Sequence, residues 1–236
     1  MPATRQARAK ASAVQIFREI GDRVGEAIGL LHLAEISMYA VDDADARRYV
    51  VDALEIAREI KNPEIESECE RMLGEIALEA GDVSAAAERF ARCLDVCREA
   101  EDKRGEATAS WWQGKADLAA GDTECARQRF CDALRAFQAF EMYAEMLGCL
   151  EDVADLLHVL DMPPDSVRFY AAAERLRDRL VLPLQPRFAV KRKDRLALLR
   201  SALGDAAFDA AWADGRAWGL EKSLRCALST RETVPA

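Results

Sequence analysis

Histidine is almost missing from this chain: His32 and His158 are the only two among 236 residues. General acid–base catalysis usually draws on a histidine, or on a carboxylate held in a pocket with an ordered partner. Phosphate-cradling loops are missing as well. No GxxxxGK[ST] stretch, nucleophile elbow or Ser/His/Asp pattern occurs, so nucleotide hydrolysis and hydroxyl-based acyl transfer lack their usual parts. No apolar run reaches the roughly 18 residues that a membrane-spanning helix needs. The opening MPATRQARAK has no apolar leader stretch, and cytoplasmic residence is the expectation. Seven cysteines, an odd number without paired spacing, build no disulfide framework. The expectation is therefore a chain that is not an enzyme and holds no cofactor or metal.

Glycine (12) and proline (7) are few, while Ala, Leu, Arg and Glu are abundant, a composition that favours helix. Half the residues are apolar and 32% are charged, enough for a continuous core and too apolar for disorder. The net charge of −9 is uneven. Residues 1–180 hold 23 Lys/Arg against 36 Asp/Glu, and residues 181–236 hold 10 against 6. An acidic array is poorly matched to a nucleic-acid backbone, so no direct nucleic-acid binding is expected.

What is there is a repeat of 40 residues. Small residues recur at Ala46, Ala86 and Ala126, with Ser166 in the next copy. Four positions on stand Val50, Phe90, Phe130 and Tyr170, and three further come Ala53, Cys93, Ala133 and Ala173, with Ala13 in the corresponding place upstream. Twelve residues before the first small site lie Ala34, Gly74, Gly114 and Ala154. Such a period marks units that bury their apolar faces against their neighbours. Turns fall at Gly81-Asp82 and Gly121-Asp122, a glycine to end one helix and an Asp to cap the next, and at Asn62-Pro63. Val41 replaces the turn glycine in the first copy, which points to a turn shifted onto Asp42-Asp43.

Apolar spacing predicts helices near 5–20, 24–40, 44–60, 64–80, 84–100, 104–120, 124–139, 143–160 and 165–181. The expected fold is all-α, a right-handed α-solenoid of antiparallel hairpins over residues 1–181 that begins in mid-repeat. Pro183 and Pro186 mark a linker at 182–187. A helical cap follows at 188–229, with helices near 188–203, 205–214 and 219–228, and then a frayed tail at 230–236. Residues 5–20 match the second helix of each later unit, so Ile16 and Phe17 lack a preceding partner helix. This suggests a longer ancestral array, the alternative being a helix that serves as an improvised cap, and self-association through the exposed half-repeat is a further expectation.

The small–large–small spacing resembles the tetratricopeptide repeat (TPR), clearest in Gly114, Ala126, Phe130 and Ala133. The copy length departs from the family's, 40 residues against about 34. The end of the chain resembles the C-terminal region of large bacterial regulators, signal-transduction ATPases and LuxR-type transcriptional activators among them. The matching features are Ala172-Ala173-Glu174, Leu203-Gly204-Asp205, Ala207-Phe208, Ala211-Trp212 and Asp214-Gly215-Arg216. The resemblance implies a sensor or interaction arm. Neither an ATPase loop nor a DNA-reading helix-turn-helix is carried here.

By repeat register the inner surface should carry Glu35, Tyr39, Arg71, Glu75, Glu79, Trp111, Lys115, Glu151, Asp155 and His158. Trp111 is expected to face this groove as a binding anchor while Trp112 leans into the core. The Lys/Asn carboxylate clamp of some TPR proteins is absent from these positions. A mainly acidic groove favours a basic or mixed-charge protein or peptide, or a small inducer. His158 shares a helix face with Glu151 and Asp155, which could assemble an acid–base site, although a solvated histidine is the plainer reading. Cys69, Cys93, Cys131 and Cys149 stand at alanine-sized packing positions, and zinc binding by Cys93, Cys97, Cys125 and Cys131 is the weaker reading. Lys191-Arg192-Lys193 and Arg195 read as a solvated basic face. The functional expectation is a non-catalytic interaction or sensor module from a bacterial regulator, with a free-standing scaffold as the alternative.

Overall fold

Helix accounts for all the regular structure in the described residues, which are 2–40, 43–184 and 186–229 of a computed structural model. The helices are α1 (Pro2–Ile20), α2 (Arg23–Tyr39), α3 (Asp43–Glu59), α4 (Pro63–Glu79), α5 (Val83–Glu99) and α6 (Lys103–Ala120). They continue as α7 (Thr123–Ala139), α8 (Tyr143–Val159), α9 (Pro163–Leu180), α10 (Pro186–Leu203), α11 (Asp205–Arg216) and α12 (Leu220–Ser229). The periodicity places all twelve, with ends shifted by up to three residues. Val41 and Asp42, where the sequence suggests a shifted turn, and the tail Thr230–Ala236 lie outside the described residues.

The structural step is half the sequence repeat. Left-handed backbone recurs at Gly21, Lys61, Gly81, Glu101, Gly121, Glu141, Asp161 and Val181, at multiples of 20 residues. At most of these points the next residue donates its N–H back into the helix just ended. Asp22 donates to Phe17 O, Asn62 to Ala57 O, Asp82 to Ala77 O and Asp102 to Cys97 O, each at 2.9 Å, the signature of a Schellman ending. That residue also begins the following helix. The Asp22 carboxylate accepts from the Gly25 N–H at 2.8 Å, and Asn62, Asp82 and Asp122 accept likewise at 3.0–3.1 Å. One residue thus serves two helices, its backbone N–H closing the first and its side chain capping the second, and such a cap contributes about 0.5–2 kcal/mol over alanine. Met142 and Met162 hold the same place without a side-chain cap bond.

Two compact units divide the chain, one through Ala119 and one from Ala120. In the first, successive helices from α1 to α5 pack together and α2 also touches α4, as stacked hairpins require. The small–large rule has a direct cause here. A Cβ on Gly74 would stand 2.6 Å from Cδ1 of Phe90, a fully buried ring, so only glycine lets α4 accept it. Phe90 joins Ala77, Ala86, Trp112 and Ala116 in one core cluster, while Cys93, Leu94, Cys97 and Ala109 form another.

Ion pairs bridge the turns of this unit. Arg18 reaches Glu26 at 2.6 Å and Arg58 reaches Glu66 at 2.9 Å, while Arg23, within α2, also pairs with Glu26 at 2.6 Å. Fully buried Glu70 accepts from Arg58 at 2.7 Å and Arg89 at 2.9 Å, joining α3, α4 and α5. At the α1 edge, Phe17 is half-buried over Gly25, but Ile16 and Ile20 are 55% and 69% exposed.

In the second unit α8 packs on α7 and α9, α11 lies along α9, and α12 touches α7, α8 and α9. The Asp214-Gly215-Arg216 step gains a physical meaning. A Cβ on Gly215 would come 2.7 Å from Cα of Arg168, so the two backbones meet there. Asp214 accepts from Arg168 Nε at 2.8 Å and from the Trp218 indole at 3.2 Å, and Arg216 reaches Glu174 at 3.0 Å. Trp218 closes the contact edge-on against Phe169, with ring centroids 5.4 Å apart.

Candidate functional site

The residues assigned to an inner surface fall into two groups with different surroundings. Those on α2, α4 and α6 belong to the first unit. Glu35, Tyr39 and Glu79 are exposed. Glu75 is not. It is buried within α4 and accepts from Arg71 at 3.0 Å, so it cannot line an open surface as expected. Its position one turn beyond Arg71 makes it that guanidinium's partner. Burial opposes the charge on Arg71, but Glu68 and Glu75 outweigh it and hold the guanidinium protonated more firmly than usual.

Trp112 is buried against Phe90, with centroids 5.5 Å apart, as the register implies. Trp111 is only half-buried and lies 5.6 Å from Trp112. Lys115, one turn on, places its Nζ 5.3 Å from the Trp111 ring and 4.8 Å from the Trp112 ring, while Arg71 lies 5.4 Å from Trp112. Two indoles and two cations therefore form one patch from α4 and α6, in which cation–π attraction fixes the lysine.

The residues on α8 are engaged by their own chain. Glu151 accepts from Arg177 of α9 at 3.2 and 3.3 Å and from Arg192 of α10 at 3.2 Å. Asp155 accepts from Tyr170 and from Arg195, each at 2.8 Å. Burial first, and then the Asp155 charge, push the Tyr170 phenol well above its ordinary range, so it stays a donor. Arg192 also pairs with Glu174, which Arg216 holds from the other side. Hence Glu151 and Asp155 do not face an open groove. Arg192 and Arg195 likewise are not a solvated face, because the carboxylates of α8 and α9 draw them in; Lys191 and Lys193 are exposed. His158 is half-buried, and the bonds of Glu151 and Asp155 go to arginine and tyrosine instead of to it.

Periodicity alone misses Glu174, Arg177, Tyr170 and Arg216 as members of this network, yet the sequence marks two of them. Glu174 stands at the position of Leu54, Leu94 and Leu134, and Arg177 at that of Ala57, Cys97 and Phe137. A charge that appears where earlier copies are apolar is the signal. Cys69, Cys93, Cys131 and Cys149 are all buried, as their alanine register suggests. Burial pushes the Cys69 thiol up to about 12, and Cys93 is raised by its bond to Cys97 and by burial, so both stay protonated. Among the described residues no cluster of three or more potential metal ligands occurs, and no helix is long and apolar enough to cross a membrane.

No protein-family model matches the chain, and no curated protein matches it in sequence. Solved structures do match in fold. BtubC (BKLC) from P. vanneervenii superposes with a TM-score of 0.65 at 18% identity, covering 100% of this chain and 96% of that one. The apo form of RapI gives a TM-score of 0.60 at 13% identity, over 96% of this chain and 69% of that one. At such identities the likeness is one of fold: this chain shares an all-α helical-repeat architecture with both.

Proposed function

We propose that the chain is a non-catalytic module that binds a protein or peptide through the Trp111–Lys115 patch of its first unit, as the interaction arm of a bacterial signalling or transcriptional regulator in the cytoplasm. The observation that carries this reading is the patch itself. Trp111 remains half-exposed although its neighbour Trp112 is buried, and Lys115 holds the indole in place. A large ring, already ordered and partly open to solvent, is the kind of residue that anchors interfaces. Glu35, Tyr39 and Glu79 are exposed on the other inner-register helices of the same unit. The non-catalytic part of the reading draws support from Glu151 and Asp155, whose bonds go to arginine and tyrosine instead of to His158.

The test is affinity capture from a bacterial cytoplasmic extract with the wild-type chain and with Trp111→Ala. The reading expects one protein, stoichiometric by mass spectrometry, to be retained by the wild type and lost with the variant. Stability should change little, by about 0.5–1.5 kcal/mol for the broken ring pair. Equal retention by both chains, or collapse of the variant's melting transition, would contradict it.

A further inference from the structure

We propose that the acidic face of the α8–α9 hairpin is a docking surface for an arginine-bearing helix of a partner protein, and that α10 is its resident, exchangeable occupant. The proposal deepens the interaction-module reading by naming a second surface and the chemistry of what it binds.

The charges are complementary at helical spacing. Glu151 and Asp155 lie one turn apart on α8, with Glu174 beside them on α9, and Arg192 and Arg195 lie three residues apart on α10. Arg177 and Arg216 already satisfy part of Glu151 and Glu174. Among the described residues Asp155 takes Arg195 as its cationic partner, with the Tyr170 hydroxyl orienting it. Two arginines on one face of a helix are therefore what this surface accepts.

The way α10 is attached makes it replaceable. It is 18 residues long, yet among its described apolar side chains only Leu199 is fully buried, Phe188, Leu196 and Leu203 are partly so, and Val190 and Leu198 are 63% and 58% exposed. An open cleft of about 400 Å³ remains between it and its surroundings, lined by Glu174, Leu196, Ala197, Arg200, Phe208 and Trp212. The next helix is held quite differently. In α11, Phe208, Ala211 and Gly215 are buried, and Gly215 presses on the α9 backbone. Charge dominates at α10, through Arg192, Arg195 and the Arg200 pairs with Asp205 and Asp209, whereas α11 adds close backbone packing to its pairs with Arg168 and Glu174. The irregular stretch Leu182–Leu184 before α10 and Gly204, at φ 76°, after it allow α10 to swing while α11 stays seated.

The probe is a fluorescein-labelled peptide with the sequence of residues 186–203, titrated into the full chain and followed by fluorescence anisotropy. The variant Arg192→Glu/Arg195→Glu repels the resident helix and should bind the peptide at least tenfold more tightly than the wild type. Adding Glu151→Gln and Asp155→Gln should return binding to the wild-type level. A peptide carrying the same two Arg→Glu changes should not bind. If the charge-reversed chain fails to fold, Arg192→Gln/Arg195→Gln is used, judged by an unchanged circular dichroism spectrum, with the same expectation. Binding by the folded, opened variant no tighter than by the wild type overturns the proposal. So does a dimer of the wild-type chain in light scattering that the opened variant loses, since α10 would then be exchanged between copies of this chain. Because the peptide does not involve Trp111, this test can fail while the Trp111 capture succeeds, and the reverse.

Discussion

At the position where the first unit buries Leu54 and Leu94, the last hairpin of the second carries Glu174. At the position of Ala57 and Cys97 it carries Arg177. Leu54 and Leu94 are closed over by apolar neighbours, whereas Glu174 is closed over by Arg192 and Arg216. The same register therefore makes two kinds of contact. Apolar burial is non-directional and scales with area, so it suits hairpins that must stack permanently. A partly exposed ion pair such as Arg195–Asp155, 33% and 32% open to solvent, contributes little and weakens in salt, so it suits a contact that can be exchanged, while Arg192–Glu151 is more sheltered. The hairpin helices are built alike, and the difference lies in what the repeat presents to the element that follows.

Leu54→Ala should cost about 2–5 kcal/mol in urea denaturation; a loss below 1 kcal/mol would mean the first unit does not depend on this core. Gly215→Ala comes next. Its new methyl would meet the Arg168 backbone, which cannot step aside, so about 1–3 kcal/mol should be lost. That loss should come with release of α11 protection in hydrogen exchange, and an unaffected α11 would show that packing does not hold it.

Acid sharpens the contrast through individual carboxylates. Burial works against the charge on Glu26, but Arg18 and Arg23 hold it below its ordinary 4.5. Burial likewise opposes Asp214, yet Trp218 and Arg168 keep it below its ordinary 3.8. For depressed carboxylates the stabilisation is present above the unfolded value and disappears as pH falls through the folded one. The melting temperature should hold at neutral pH and drop below about pH 4.5, less steeply in Glu26→Gln. A slope that steepens between pH 6 and 8 would contradict this assignment. The smallest effect belongs to Glu174→Leu, which restores the residue of the earlier copies. It should stay within about 1 kcal/mol of wild type while loosening α10, because Glu174 is partly exposed and its arginines can turn to water.

Much of the architecture was legible because two signals coincide every 20 or 40 residues. Gly81-Asp82, Asn62 and Gly121-Asp122 announce their turns, and Ala53, Cys93 and Ala133 announce close helix contacts. The left-handed residues Lys61, Glu101, Glu141, Asp161 and Val181 were not legible. Long or branched side chains disfavour that conformation, and it is imposed there by the Schellman bonds of the preceding helix. Val181 is the extreme case, a β-branched residue at φ 54°. Less of the candidate site could be read. Register placed Trp111 and Trp112 on different sides of α6, but it could not show that Arg71 buries Glu75, since that depends on which rotamer satisfies a buried guanidinium. Nor could local spacing bring Arg192 to Glu151 or Arg195 to Asp155 across 40 residues of chain. The basic cluster reads as a solvated face and the acidic residues as a ligand groove, yet Arg192 and Arg195 meet Glu151 and Asp155.

Hydrogen exchange followed by mass spectrometry on the full chain, at low and high salt, tests most directly the division between charge-held and packing-held helices. Peptides from α10 should exchange well ahead of those from α9 and α11 and should speed up further in 0.5 M salt, where the Debye length shrinks to about 4–5 Å. Protection of α10 equal to that of α9 and α11, and indifferent to salt, would contradict the account.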